Sequence, residues 1–279
     1  MTSPATLPFL NDSGAIPQIG FGTSPLTGGL SADTVLAALY AGYRHIDTAR
    51  KYGTEPAVGE ALRASRVPRA DIFLTTKVSH ENLRADDFAR SVDESLAALK
   101  VDYVDLLMVH WPNPEIALAE TMPALAKAKR EGLAHHIGVA NFTTALLEQA
   151  TALCPEPLAV LQAECHPYLD QAKLLAAARR HKLVFVAYCP LGRGRLFNDP
   201  VLADIAKARG RSIAQVALRW LMQQDIAAIP FSSRPQRIAD NFNVFDFTLS
   251  DDKMTRISAL KRADGRIANP RGRVPGGWD

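Results

Sequence analysis

"GFGTSP", residues 20–25, decides between two folds. A G-x-G that follows an apolar run and precedes a helix is how a Rossmann sheet opens its dinucleotide site, with Asp47 then ending the next strand where a ribose-binding acid would stand. The spacing argues against it. The sixth position is Pro25 instead of Gly, and the first helix signal, Ser31 capping a face of Val35, Ala38 and Leu39 that stops at Gly42, comes too late for a pyrophosphate to rest on that helix N-terminus.

Outward from this stretch, short apolar or β-branched runs alternate with segments of helical period. The strand candidates are 19–22, 44–47, 72–77, 104–110, 135–140, 159–164, 183–188 and 227–230. Between them, Phe88, Val92, Leu96 and Leu99 form one helical stripe, Asp170 is a candidate cap for Leu174, Leu175 and Ala178, and Ser212 caps Ile213, Val216 and Trp220. Eight β-α units in 279 residues predict an α/β fold, the (β/α)8 TIM barrel. An N-terminal β-hairpin is expected where "LPFL" and "AIPQ" flank the "NDSG" turn. No Pro/Gly linker or low-complexity tract divides the chain, so one domain over 1–279 is expected.

Composition narrows the function. Thirty-two Lys plus Arg against 29 Asp plus Glu leaves a net charge of +3, too balanced for a nucleic-acid or membrane-surface partner, and a small-molecule site is the remaining expectation. The three cysteines are widely spaced without a C-x-x-C pair, which suits free thiols in a reducing compartment. The first residues have no basic stretch followed by an apolar one, and no apolar run approaches ~18 residues. A cytoplasmic protein is expected.

Barrel chemistry is carried at the C-terminal ends of strands, and there the polar residues gather. Asp47 ends the second strand with Tyr52 on its loop, Lys77 ends the third, and His110 ends the fourth. Asn141 follows the fifth, Gln162 and Glu164 lie in the sixth, and Tyr188 ends the seventh. A phenol titrates near ~10, so it donates a proton at neutral pH only if its anion is stabilised. Lys77 is expected to favour that anion, and Asp47 to keep Lys77 charged and oriented. With His110 orienting a carbonyl oxygen, the set can protonate an alkoxide as it forms. Glu164, Cys165 and His166 lack an H-E-x-x-H or a second Cys pair, so a structural strand end is expected there and no metal.

"GYRHIDTARKYGTEPAVG", "IFLTTKV", "DYVDLLMVHWP", "IGVANF", "QAECHPYL", "AYCPLG" and "IADNFNVFDFTLS" resemble the aldo-keto reductase family in order and spacing over almost the whole chain. The tail "ADGRIANPRGRVPGGWD" resembles the bacterial diketogluconate and methylglyoxal reductase branch. The resemblance implies reduction of a small α-dicarbonyl or keto-sugar acid, with Tyr52 the general acid, Lys77 and Asp47 tuning it, and His110 and Trp111 at the substrate. It implies NADPH held by Gly22, Thr23 and Asp47, by Asn141, Gln162 and Tyr188 at the nicotinamide, and by Leu191 and Gly192 at the pyrophosphate. Ser232, Arg234, Arg237 and Asn241 would take the adenosine end, and the protein would be a monomer. Three positions depart from the family pattern: Ala140 where Ser is common, Ser24 where Trp is common, and Phe231 where a lysine often meets the 2′-phosphate. NADPH with some NADH use is therefore expected.

Two other classes fit parts of the pattern. A Schiff-base lyase would use Lys77 as nucleophile, although Asp47 would hold it protonated. A noncatalytic nicotinamide-binding barrel would keep the fold without the chemistry. A short-chain dehydrogenase is disfavoured, since no Y-x-x-x-K occurs.

Overall fold

The computed structural model describes residues 5–24, 29–274 and 277–279. Antiparallel β1 (Thr6–Pro8) and β2 (Ala15–Pro17) form the hairpin, paired from Thr6 opposite Pro17 to Pro8 opposite Ala15. Eight parallel strands follow: β3 (Phe21–Gly22), β4 (His45–Asp47), β5 (Phe73–Val78), β6 (Val104–Val109), β7 (Ala134–Ala140), β8 (Val160–Glu164), β9 (Val184–Tyr188) and β10 (Ile226–Ala228). Each pairs with its neighbour in chain order. The sheet closes on itself, because Gly20 N donates to Ala228 O at 2.8 Å and Gly22 N to Pro230 O at 3.1 Å. This is the (β/α)8 barrel with its N-terminal hairpin.

After β3 to β8 come α1 (Ala32–Ala41), α2 (Glu55–Ala64), α3 (Ala85–Leu99), α4 (Leu118–Arg130), α5 (Thr144–Leu153) and α6 (Ala172–Arg180), one per strand. Two helices, α7 (Pro200–Arg209) and α8 (Ile213–Met222), separate β9 from β10, and α9 (Pro235–Phe242) and α10 (Asp251–Ser258) follow. The predicted caps hold at Ser31, which accepts from Thr34 N, and at Ser212, which forms a capping box with Gln215. Asp170 is a correction. The residue before α6 is Gln171, and Asp170 instead accepts from Ala172 N one position further out.

Strands buried on both faces need apolar side chains at successive positions, which is why β6 reads as a continuous run. Leu106 and Met108 belong to the barrel interior with Val160, Val184, Val186 and Ala227, while Leu107 and Val109 pack in the outer layer with the helices. Phe9 and Ile16 of the hairpin join the interior cluster and plug the end of the barrel away from the strand C-termini.

Asp12 fastens that plug. Its carboxylate meets Lys129 Nζ at 2.5 Å and His136 Nδ1 at 2.9 Å. Burial alone would raise the Asp12 carboxyl, but the hydrogen bonds from Lys129 and His136 outweigh it and hold the group below its ordinary 3.8. A depressed folded-state value means that the stabilisation is present above the unfolded value and is lost as pH falls through the folded one. Asp12→Asn should therefore cost about 1.5–3 kcal/mol at neutral pH. The gap to wild type should close in acid; a gap independent of pH in urea melts would contradict the assignment.

Candidate active site

The strand ends converge on one cavity of about 360 Å³, lined by Asp47, Tyr52, His110, Trp111, Asn141, Gln162 and Tyr188 among others. Its size suits a small-molecule ligand. The segment after β4 folds as a 3-10 turn over Arg50–Tyr52, ended by Gly53 at φ 67, and this turn swings the Tyr52 phenol back over the barrel. Tyr52 Oη lies 3.4 Å from His110 Nε2.

Beneath them is a buried ion pair. Lys77 Nζ meets Asp47 Oδ1 at 2.5 Å and Thr48 O at 2.8 Å, and Gln162 Nε2 donates to the other Asp47 oxygen at 2.8 Å. Both members are essentially inaccessible to solvent. Lys77 is the penultimate residue of β5 rather than its end, and it does not itself line the cavity. An amine sealed between a carboxylate and a carbonyl is no nucleophile, which removes the support for a Schiff-base lyase.

Lys77 Nζ lies 5.5 Å from the Tyr52 ring centroid, yet the expected lowering of the phenol is not what the environment produces. Burial first, and then the Asp47 carboxylate, push the Tyr52 phenol above its ordinary range. It is protonated at neutral pH, the state a proton donor requires. Burial, reinforced by the Lys77 charge, pushes His110 well below its ordinary value and keeps the imidazole neutral. Burial likewise lowers Lys77, with Asp47 opposing.

The amides are held by their neighbours. Asn141, in the left-handed region at φ 64, donates from Nδ2 to His110 O at 2.8 Å and accepts from Tyr188 Oη at 2.7 Å. The Oε1 of Gln162 has no hydrogen-bond partner among the described residues.

Gly22, Thr23 and Leu191 also line the cavity, whereas Gly192 is buried just outside it. Phe231 lines the cavity; Ser232, Arg234 and Arg237 lie outside it around the start of α9, and Asn241 is buried in the last turn of that helix. Arg234 and Arg237 are exposed, and neither guanidinium is bonded to a described residue. Phe231 packs on Phe21 at 5.9 Å between ring centroids. Trp278 packs edge-on against Trp111 at 6.0 Å and does not line the cavity.

Sequence reasoning missed Lys51, His80 and Cys189 as lining residues, and the basic tail from Lys261 to Arg273, whose composition reads as a solvated segment, is not one. The tail is a strap whose Ala268, Pro270 and Arg273 line the cavity. Glu164 holds it, accepting from Ile267 N at 2.8 Å and Ala268 N at 2.7 Å, with His166 Nε2 2.9 Å away. Among the described residues no three His, Cys, Asp or Glu side chains form a metal-holding cluster, and no helix is long and apolar enough to cross a membrane.

Residues 18–262 match the aldo/keto reductase family. The chain belongs to that family and is an oxidoreductase. It is 40% identical to methylglyoxal reductase DkgB of Escherichia coli O157:H7, over 95% of this chain and 100% of that one. It is 40% identical to morphine 6-dehydrogenase of Pseudomonas putida, over 93% of each. A crystal structure named for 2,5-diketo-D-gluconic acid reductase B superposes with a TM-score of 0.93 at 43% identity, covering 99% of this chain and 98% of the other.

Proposed function

We propose that the protein reduces a small α-dicarbonyl or keto-sugar acid to the alcohol with NADPH, using Tyr52 as proton donor. The observation that supports this most directly is the 3.4 Å pairing of a protonated Tyr52 phenol with a neutral His110 imidazole over the sealed Lys77–Asp47 pair. A carbonyl oxygen between phenol and imidazole receives two hydrogen bonds. As charge develops on it, the Tyr52 proton moves to that oxygen, and the Lys77 ammonium, oriented by Asp47, offsets the phenolate left behind.

The donors suit a nicotinamide dinucleotide. Neutral groups lie inside the cavity: Asn141, the unmatched Gln162 oxygen and the Tyr188 ring beside a carboxamide. Uncommitted cations stand outside it, with Arg234 and Arg237 beside Ser232 and Asn241 for the adenosine end, and Leu191 and Gly192 nearer the pyrophosphate. When bound, the dinucleotide supplies the hydride. The names of the relatives, a methylglyoxal reductase and a diketogluconic acid reductase, favour the substrate class. NADPH consumption with methylglyoxal and with keto-sugar acids is the test, and absence of turnover with any carbonyl would leave the noncatalytic barrel.

Cofactor choice rests on Arg237 and Arg234, because a guanidinium meets a 2′-phosphate bidentately and the Phe231 ring brings no charge. A lost contact to a charged group of ~1.5–3 kcal/mol corresponds to roughly one to two powers of ten. NADPH should bind more tightly than NADH, with measurable NADH use. Arg237→Ala should weaken NADPH far more than NADH in fluorescence titrations at fixed ionic strength, and equal losses would show that Arg237 does not meet the 2′-phosphate.

A further inference from the structure

The charges lining the cavity are unequal in sign. Its carboxylate is Asp47, buried and matched by Lys77, while Lys51, Arg193 and Arg273 all line it as cations. Lys51 is already committed to Glu81 at 2.6 Å, and His80 meets the same carboxylate at 2.7 Å. Arg193 lies in the segment after β9, and its charge acts on Tyr52 and Cys189. Arg273 belongs to the other wall, where its charge acts on His110 and His80. It is half-buried and makes no ion pair or hydrogen bond with any described residue.

A half-buried guanidinium whose donors no described residue occupies can exchange water for a ligand's acceptor without breaking a contact within the protein. Its surroundings are nonetheless well anchored. Upstream, Glu164 grips Ile267 N and Ala268 N. Downstream, the Asp279 carboxylate accepts from Thr144 N at 2.9 Å and Thr144 Oγ1 at 2.7 Å, and Arg266 stacks 3.7 Å over the Trp278 ring. A strap tied at both ends thus presents one planar fork of donors to the cavity on the imidazole side.

We infer that Arg273 binds a carboxylate carried by the substrate at the end remote from the reacting carbonyl, making aldehydo and keto acids the favoured substrate class. The inference rests on the carbonyl-reducing assignment of Tyr52 and His110. A carboxylate suits this fork because two parallel N–H···O contacts match its geometry, and the positive mouth raises the local concentration of anions before they bind.

The experiment compares 4-formylbenzoate with its uncharged methyl ester, which share one reacting aldehyde, at saturating NADPH and low ionic strength. Wild type should favour the acid. Arg273→Met should lower the acid-to-ester ratio of kcat/KM by about ten- to a hundredfold, with the change in KM for the acid, and Arg273→Lys should restore part of it. Salt should shrink the wild-type preference, since the contact lies near solvent. An unchanged ratio in Arg273→Met overturns the inference while leaving carbonyl reduction in place. So does an equal loss for acid and ester with a weakened NADPH dissociation constant, which would assign Arg273 to the dinucleotide or to strap packing. Failure of wild type to reduce either aldehyde removes the underlying assignment as well.

Discussion

Tyr52→Phe should lower kcat for carbonyl reduction by about three to four powers of ten while leaving the fold and the dinucleotide dissociation constant near wild type. The ring is retained, so the packing of Tyr52 against His110, edge-on at 5.3 Å between centroids, is preserved. What disappears is the hydroxyl and its single 3.4 Å contact. That contact is too long to carry much stability. The proton, by contrast, has no other source close by: His110 is held neutral by burial, and Lys77 is occupied by Asp47 and Thr48 O. The loss should therefore appear in kcat, since the missing interaction strengthens only as the carbonyl oxygen gains charge. Near-normal turnover would remove Tyr52 as the acid. Water admitted in place of the hydroxyl could supply a slow residual rate, so the discriminating quantity is the size of the drop.

The barrel was legible because its strands are buried on both faces. "VDLLMVH" must be apolar at nearly every position, and the observed β6 ends one residue short of the expected His110. Asp47, Lys77 and His110 could be placed at one mouth for the same reason: parallel strands of a barrel all finish on one side. The direction of the Tyr52 shift was not legible. It depends on how much water the cavity excludes and on the Asp47 charge, and neither follows from strand spacing.

The strap was hidden for a different reason. Glu164 holds Ile267 and Ala268 through their backbone amides, about a hundred positions away in sequence, and a backbone amide leaves no residue signature. The Pro, Gly and Arg residues of 265–273 have no apolar period, so composition alone suggests solvent exposure. Phe231 shows the converse. Its departure from the family's lysine was visible in sequence, but its packing on Phe21 and its place in the cavity wall required the fold.

Lys77→Met should impair both catalysis and stability, and a second substitution should separate the two. Removing the ammonium strands the Asp47 carboxylate in a site closed to solvent, with Gln162 Nε2 as its remaining side-chain partner. Breaking a buried pair from one side costs about 3–5 kcal/mol, because the surviving charge has lost its counterion without regaining water. Turnover should fall by about two to four powers of ten, since the phenolate formed on Tyr52 then loses the Lys77 ammonium beneath it and faces an Asp47 carboxylate that opposes it, with the Arg193 charge as its remaining cationic influence. Adding Asp47→Asn to Lys77→Met removes the stranded charge, so the double variant should recover most of the lost thermal stability. It should not recover turnover, because the cation is still missing. Thermal melts and kcat for wild type, both single variants and the double variant complete the cycle. Recovery of turnover along with stability would mean that Lys77 serves only to neutralise Asp47 and has no electrostatic part in the proton transfer.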